Sequence, residues 1–222
     1  MRAILCLFLL AACDDGRKPV PSTPSNALAP SELGLTATVT GNGASVLVDV
    51  SISTGTTAVE LSPNDALVAS ASDAPALGLG KYAPGKYTVL LPTHAQTVTF
   101  AFMRDGKAIV SNDITLPTPF AIAAPQKPSR ASSIALAWEA GKSSEMLALA
   151  IGAPCLATRK STRMPDPIGT GFTLQAADFI PYAGACTLDI ELERTDGRTL
   201  SGFSSGVAQV VQSRTLELVT EP

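Results

Sequence analysis

Apolar and polar residues alternate along most of the chain after Gly34. In residues 35–40, Leu, Ala and Val alternate with threonine, and the alternation resumes over residues 46–53 after a Gly-Asn-Gly break at residues 41–43. A period of two predicts strands that bury one face and expose the other, and a short glycine-rich break between two such runs predicts a hairpin turn. The first part of the chain therefore predicts an antiparallel sheet.

The same period returns later in the chain, and a proline-rich stretch separates two groups of strands. Val98, Phe100 and Phe102 share one face before the sequence LPTPF at residues 116–120, and each proline there would deprive a central strand of a hydrogen-bond donor. Alternating runs then cover residues 134–138, 147–151, 186–193 and 207–219. The proline-rich stretch is therefore the predicted domain boundary.

These patterns predict an all-β fold with a first β-sandwich domain at residues 34–117 and a second at residues 118–222, since no stretch longer than about ten residues keeps a helical period. In the second domain, Asp196-Gly197 predicts a tight turn, and the irregular alternation after Val207 predicts a β-bulge in the last strand. Residues 62–80 lack a clear strand pattern and are a candidate binding loop, although a plain connection is the alternative.

The N-terminal residues follow a different pattern. Arg2 precedes an apolar run over residues 3–10, and small residues lead from there to Cys13. This order is typical of a secretory signal peptide, and the run is too short to span a membrane, which takes about 20 apolar residues. The residues that follow hold four prolines among small polar side chains. We therefore predict a signal peptide at residues 1–12 and a flexible tether at residues 13–33.

Composition and charge limit the classes of partner. The 222 residues include 16 Lys and Arg against 19 Asp and Glu, which gives a formal net charge of −3. This mildly acidic balance argues against a nucleic acid, whose binding requires a basic patch. Aromatic residues make up 5% of the chain, with a single Trp, which argues against a sugar-binding surface of exposed rings.

The cysteines fall into two pairs. Cys6 and Cys13 belong to the N-terminal segment, whereas Cys155 and Cys186 lie in the second predicted domain. An exported chain meets an oxidising compartment, where an even pair of cysteines predicts a disulfide. Two buried free thiols are the alternative. Two cysteines and the distant His94 do not supply a usual set of metal ligands, so no metal site is predicted.

Two short motifs resemble catalytic signatures, but neither has the surroundings that its chemistry needs. GKYAPGKY at residues 80–87 nearly matches a phosphate-binding loop, yet Tyr87 replaces the magnesium-binding Ser or Thr and a strand pattern follows. GFSSG at residues 202–206 matches a serine-nucleophile elbow, yet the only histidine, His94, precedes Ser204 in the chain. We predict no catalytic residue and no cofactor, and the scattered carboxylates leave a pair formed in space open.

Leu10-Ala11-Ala12-Cys13 resembles the lipobox of bacterial lipoproteins, in which the cysteine carries lipid and cleavage occurs directly before it. The resemblance implies a mature chain that begins at Cys13 and is anchored to a membrane by several acyl chains. Asp14 favours the inner membrane under the rule that holds for enterobacterial lipoproteins, and which membrane carries the chain stays open. An ordinary signal peptide that happens to contain a cysteine is the alternative.

Part of the second predicted domain resembles fibronectin type III and related immunoglobulin-like domains. SIALAWE at residues 133–139 resembles their second strand with its core tryptophan, and FIPYAGACTLDIELE at residues 179–193 resembles the start of their penultimate strand. That strand usually has a tyrosine where this chain has Cys186, and Tyr182 lies in the turn before it. The resemblance implies tandem immunoglobulin-like or fibronectin type III-like sandwiches.

The sequence therefore predicts a noncatalytic lipoprotein of the bacterial cell envelope that acts as a binding, spacer or assembly module. Its expected partners are the membrane, through lipid on Cys13, and another envelope protein, and no small-molecule ligand is indicated. The alternatives are an envelope hydrolase or other enzyme with an unrecognised site, and an immunity or inhibitor lipoprotein. A cleft with convergent carboxylates around His94 would favour the enzyme, and an exposed apolar patch would favour the binding module.

Overall fold

The computed structural model describes residues 21–165 and 170–222, and these residues are almost entirely β. Three single-turn 3-10 helices, Ser25–Ala27, Pro30–Glu32 and Ala176–Asp178, interrupt the strands, and the described residues contain no α-helix. The predicted all-β class is therefore confirmed.

Seventeen strands follow one another in these residues. In chain order they are β1 Ser22–Pro24, β2 Gly34–Gly41, β3 Val46–Thr54, β4 Thr57–Glu60, β5 Asp65–Ala71, β6 Ala74–Gly78, β7 Gly80–Ala83, β8 Lys86–Leu91, β9 Thr97–Arg104, β10 Lys107–Thr115, β11 Ile122–Ala123, β12 Ile134–Trp138, β13 Met146–Gly152, β14 Lys160–Pro165, β15 Gly171–Leu174, β16 Cys186–Thr199 and β17 Ser205–Thr220.

The strands form one long sheet and two smaller ones. The long sheet has the order β1-β4-β3-β2-β17-β16-β13-β14, and β8 extends it by pairing with β3 and with β7. The smaller sheets have the orders β10-β9-β5-β6 and β11-β12-β15. Each smaller sheet covers a different part of the long one, so that two β-sandwiches share a continuous sheet.

Each sandwich has its own hydrophobic core. The first core contains side chains such as Val48 of β3 and Phe100 and Phe102 of β9, all fully buried. The second core contains Trp138 of β12 and Ile190 of β16, among others. Alternation of apolar and polar residues produces this arrangement, because a strand buries every second side chain against the facing sheet.

A long hairpin belongs to both cores. Strands β16 and β17 pair in continuous register from Cys186 opposite Thr220 to Thr199 opposite Val207, and β17 then pairs in parallel with β2. Ala208 and Val210 in the first half of β17 belong to the first core, as does Leu200 at the tip. In the second half, Leu218 belongs to the second core. The hairpin therefore connects the sandwiches through both backbone pairing and packing.

This hairpin corrects two predictions. Asp196-Gly197 does not turn the chain, because Gly197 pairs with Gln209 inside the ladder and the turn lies at residues 200–204 instead. The register of β17 contains no bulge. Its irregular pattern arises because Val211 and Gln212 are both buried where the strand passes from one core to the other.

The flexible tether before β2 is shorter than the sequence predicts. Residues 22–33 were expected to be flexible, but they pack on the first sandwich, where Ser25 is fully buried and donates a hydrogen bond to Asp65 at 2.6 Å. Arg104 binds the same carboxylate at 2.9 Å and donates to the carbonyls of Ser25 and Leu28 at 2.8 and 3.1 Å. A local proline pattern carries no information about this distant arginine, so the sequence did not reveal the contact.

The Asp65 contacts predict that acid releases residues 22–33. Burial raises the pKa of Asp65, but hydrogen bonds from Arg104 and Ser25 outweigh burial and hold the pKa below its usual range. Because the folded pKa is the lower one, the stabilisation is present above the unfolded value of about 3.9 and is lost as the pH falls through the folded value. We expect the backbone N–H of Asn26, which donates to Ser62, to lose hydrogen-exchange protection below about pH 4.

Hydrogen exchange between pH 2 and 7 measures this release, and the amide of Val48 in the first core serves as the internal control. In an Asp65→Asn variant the exchange of Asn26 should be fast at every pH. Equal protection of Asn26 in the variant and in the wild type at pH 7 would contradict the prediction.

Candidate functional site

The predicted site residues occupy separate places. Cys13, the predicted lipidation site, lies outside the described residues. Cys155 and Cys186 are joined by a disulfide with their Cα atoms 6.3 Å apart, and both side chains are buried in the second core. The bond links the segment after β13 to the first residue of β16, at one end of the second sandwich.

Removing the disulfide with the double substitution Cys155→Ala and Cys186→Ala is expected to lower the free energy of unfolding by about 3 to 4 kcal/mol. The bond closes a loop with a sequence separation of 31, and the chain-entropy model relates that length to the stabilisation. Urea denaturation followed by Trp138 fluorescence measures the loss. The wild type in a strong reductant is the control and should match the variant, and an unchanged denaturation midpoint in both would contradict the prediction.

The two catalytic-like motifs form hairpins. GKYAPGKY at residues 80–87 comprises β7, a turn at Gly85 with φ of +64° and the start of β8. Ser204 lies in the turn between β16 and β17, where its backbone N–H donates to the carbonyl of Leu33 at 2.8 Å. A strand follows each motif, so neither offers the helix N-terminus that its catalytic counterpart uses.

His94 is held by the loops around it. Its Nδ1 lies 2.6 Å from the carbonyl oxygen of Gly43, and its backbone N–H donates to Asp73 at 3.0 Å. Thr93 donates a further hydrogen bond to the same carboxylate. These hydrogen bonds lower the pKa of Asp73, with that from Thr93 contributing most. The Asp73 carboxylate near His94 therefore accepts hydrogen bonds from the loop. In these contacts it does not pair with a second carboxylate.

Residues 62–80 are not the loop that the sequence suggested. They contain β5 and β6, which pair with each other and give the four-stranded sheet two of its strands. The weak pattern comes from small side chains such as Ala69 and Ala74, both buried, which keep the alternation but lower its contrast. Residues 62–80 therefore form strands of the sheet, and the prediction of a loop at this position is wrong.

The described residues contain neither a cluster of metal ligands nor a membrane-spanning helix. Within residues 21–165 and 170–222, no three His, Cys, Asp or Glu side chains come close enough together to hold a metal ion. In the same ranges, no helix has the length and apolar character needed to cross a membrane.

A charged groove of about 520 Å³ lies on the outer face of the second sandwich. Its floor includes Ala150 and Gly152 of β13, and Glu191 and Asp189 of β16 stand directly opposite them in the ladder. Small residues on a central strand leave a furrow between longer neighbours, and Arg159 lies on the lining as well. The lining combines these charged side chains with the apolar Ile190 and Leu216, so the groove offers a mixed surface.

A buried ion pair of the second sandwich holds the start of the linker. Glu145 before β13 and Arg194 on β16 are both 0% exposed, and Arg194 Nε lies 3.5 Å from a Glu145 carboxylate oxygen. The carboxylate also accepts hydrogen bonds from the backbone N–H groups of Thr118 and Lys142 at 3.0 and 2.9 Å. Arg194 donates to the carbonyl of Thr118 at 2.8 Å and to that of Glu139 at 2.5 Å. We call Thr118, Glu145 and Arg194 the junction cluster.

An aromatic ring extends the junction cluster. Phe120 lies under two guanidinium groups, with the Arg194 Cζ atom 4.8 Å and the Arg214 Cζ atom 5.8 Å from its ring centroid. Beside it, the backbone N–H of Ala121 donates to the Glu139 carboxylate at 2.8 Å and lowers the pKa of that carboxyl. The linker is therefore fixed between the cores, since cation–π contacts and hydrogen bonds hold three of its residues.

The sequence did not reveal the junction cluster. Glu145 and Arg194 lie far apart in the chain, and the local pattern around Glu145 is that of an ordinary surface charge. One signal was present: Arg194 falls on the buried parity of β16, in line with Ile190 and Leu192. A charged residue on the apolar face of a strand indicates a buried partner.

Comparisons with known proteins identify no family. No family model matches the chain, and a search of curated proteins found no match. Among solved structures, the chain is similar to the FN1-FN3 domains of chicken CNTN1, with 13% identity, a TM-score of 0.28, and coverage of 91% of this chain and 68% of that chain. For the Yersinia pseudotuberculosis adhesin InvE the values are 10%, 0.27, 86% and 59%, and for the human OSCAR ligand-binding domain 16%, 0.26, 83% and 96%.

Proposed function

We propose that the chain is a noncatalytic lipoprotein module of a bacterial cell envelope, anchored through lipid on Cys13, that binds or positions another envelope protein. The observation that carries this proposal is the packed N-terminal segment. The first sandwich holds residues 22–33 through Ser25, Asp65 and Arg104. Because residues 22–33 are packed on the first sandwich, an anchor attached just before them would fix the position of the folded body.

The short reach of the anchor supports a positioning role. Eight residues, 14–21, separate Cys13 from the first packed strand. Fully extended, the nine Cα–Cα steps from Cys13 to Ser22 span at most about 32 Å. Lipid on Cys13 would therefore keep the first sandwich close to the bilayer surface.

The connection between the sandwiches supports the same role. The hairpin β16–β17 enters both cores, and the junction cluster fixes the linker between them. Packed cores connected by a continuous sheet resist bending far better than domains on a free linker. The body can thus hold a distant surface, such as the charged groove, at a set distance from the membrane.

The proposal predicts that the Cys13→Ala variant is lost from the membrane. Protein purified from native membranes should lack residues 1–12, carry acyl mass on Cys13, and gain the mass of two hydrogens when Cys155 and Cys186 are reduced. Intact-mass spectrometry and membrane fractionation measure these outcomes. Cys6→Ala removes a cysteine from the predicted signal peptide and is the matched control, which should stay in the membrane fraction.

A full-length, unacylated chain in the soluble fraction would overturn the proposal. Crosslinking of the anchored protein then tests the partner. Recovery of one stoichiometric envelope protein supports binding, and an activity of that protein that is blocked in the complex would identify an inhibitor.

A further inference from the structure

A small cavity lies where the first sandwich meets the linker. Gly41 at the end of β2, Thr93, Gln96, Leu116 and Gln212 are among the residues that line it. The centre of a water-sized sphere can move through about 10 Å³ of this space. That volume is about the minimum that holds one water molecule.

A buried amide faces this cavity without a partner. Gln212 on β17 is 1% exposed, and neither its Nε2 nor its Oε1 has a hydrogen-bond partner among the described residues. The buried Oε1 of Gln96, on the same cavity lining, is likewise unpartnered in these residues. Buried polar groups are nearly always hydrogen-bonded, so three unpartnered atoms at one cavity indicate an additional molecule.

We propose that one ordered water molecule occupies this cavity and bridges Gln212 and Gln96. The amide of Gln212 presents a donor, Nε2, and an acceptor, Oε1, and Gln96 adds a second acceptor. A cation would satisfy only the acceptors, and an anion would satisfy only the donor. Water donates two hydrogen bonds and accepts two, and buried waters in proteins make about three.

The position of Gly41 preserves this space. A Cβ atom at Gly41 would lie 2.8 Å from Leu116 Cδ1 and 3.3 Å from Gln212 Oε1. The missing side chain therefore leaves room beside the amide oxygen. In the ladders, Gln212 pairs with Gly41 on one side and with Arg194 on the other. The water thus extends the junction cluster across β17, and a polar layer runs between the two cores.

Crystallography of the full folded chain at high resolution tests the proposal. In the wild type we expect water density within about 2.7–3.2 Å of an amide atom of Gln212 and of Gln96 Oε1. In a Gln212→Met variant, which keeps the length of the side chain but removes its polar atoms, we expect this water to be lost. Gln209→Met changes an exposed glutamine on the same strand and should retain the water.

Nuclear Overhauser effects between water and the Gln212 side-chain amide give a solution readout on the wild type alone, which decides the question even if Gln212→Met does not fold. A long-lived water signal at this amide supports the proposal. A structure in which the two amides hydrogen-bond directly to each other, with no water between them, would overturn it. Binding of water only at the exposed rim near His94 would overturn it as well.

Discussion

Replacing Arg194 with methionine is expected to lower the free energy of unfolding by about 3 to 5 kcal/mol. The Glu145 carboxylate is 0% exposed, and the substitution removes the guanidinium group that lies 3.5 Å from it. It also removes the donors to the carbonyls of Thr118 and Glu139. A methionine side chain restores the packing of the apolar stem of arginine but not its charge. Most of the loss therefore comes from the uncompensated buried charge of Glu145.

Urea denaturation followed by Trp138 fluorescence measures this loss, since Trp138 lies in the second core. Arg198→Met is the matched control. Arg198 lies on the same strand and binds Asp196 at 2.6 Å, but its side chain is 31% exposed, and exposed pairs contribute about 0 to 1 kcal/mol. Equal losses of stability in the two variants would show that burial does not make the Arg194 ion pair more stabilising than the exposed Arg198 pair.

A double variant separates the charge from the packing. Arg194→Met combined with Glu145→Leu removes both charges, and such replacements of buried ion pairs are often neutral or stabilising. We expect the double variant to recover a large part of the stability that Arg194→Met loses. No recovery would indicate that the hydrogen bonds of Thr118 with the pair, rather than the unpaired charge, dominate the effect.

Local sequence patterns correctly predicted the features of the fold that depend mainly on neighbouring residues. Alternation over residues 46–53 gave strand β3 nearly to its ends, because a half-buried strand needs one apolar residue in two. The pairing of Cys155 with Cys186 followed from their number and from the predicted export of the chain. In both cases a short piece of sequence contains the physical cause.

Long-range pairing explains what the sequence did not predict. Gly197 resembles a turn residue, yet β17 holds it in the ladder opposite Gln209. The parallel contact between β17 and β2 joins residues from opposite ends of the chain, and no local period encodes it. The packing of residues 22–33 likewise depends on Arg104, which is distant in sequence. Tertiary partners, not propensity, decide these three features.

A fragment ending at residue 117 is expected not to fold on its own, although it contains the whole first domain that the sequence predicts. In the full chain, β2 from Gly34 to Gly41 pairs with Ser205–Gln212 of β17. The fragment would expose this central strand as an unpaired edge, which promotes aggregation. We expect residues 21–117 to show no cooperative thermal transition by circular dichroism and to elute as aggregate in size-exclusion chromatography.

Mixing the fragments 21–117 and 118–222 under refolding conditions is the control for this experiment. If the hairpin completes the first sandwich in the full chain, the second fragment should restore a soluble complex with a cooperative transition. A cooperative transition of residues 21–117 alone, near that of the full chain, would contradict the prediction and would make the first sandwich an independent domain.

The size of the missing core supports the expected outcome. The fragment lacks Leu200, Ala208 and Val210, which the hairpin contributes to the first core. Loss of a single buried leucine side chain costs about 2 to 5 kcal/mol, and small domains are stable by only about 5 to 15 kcal/mol. The fragment also loses the backbone pairing of β2 with β17, so we expect the two sandwiches to unfold as one cooperative unit despite their separate cores.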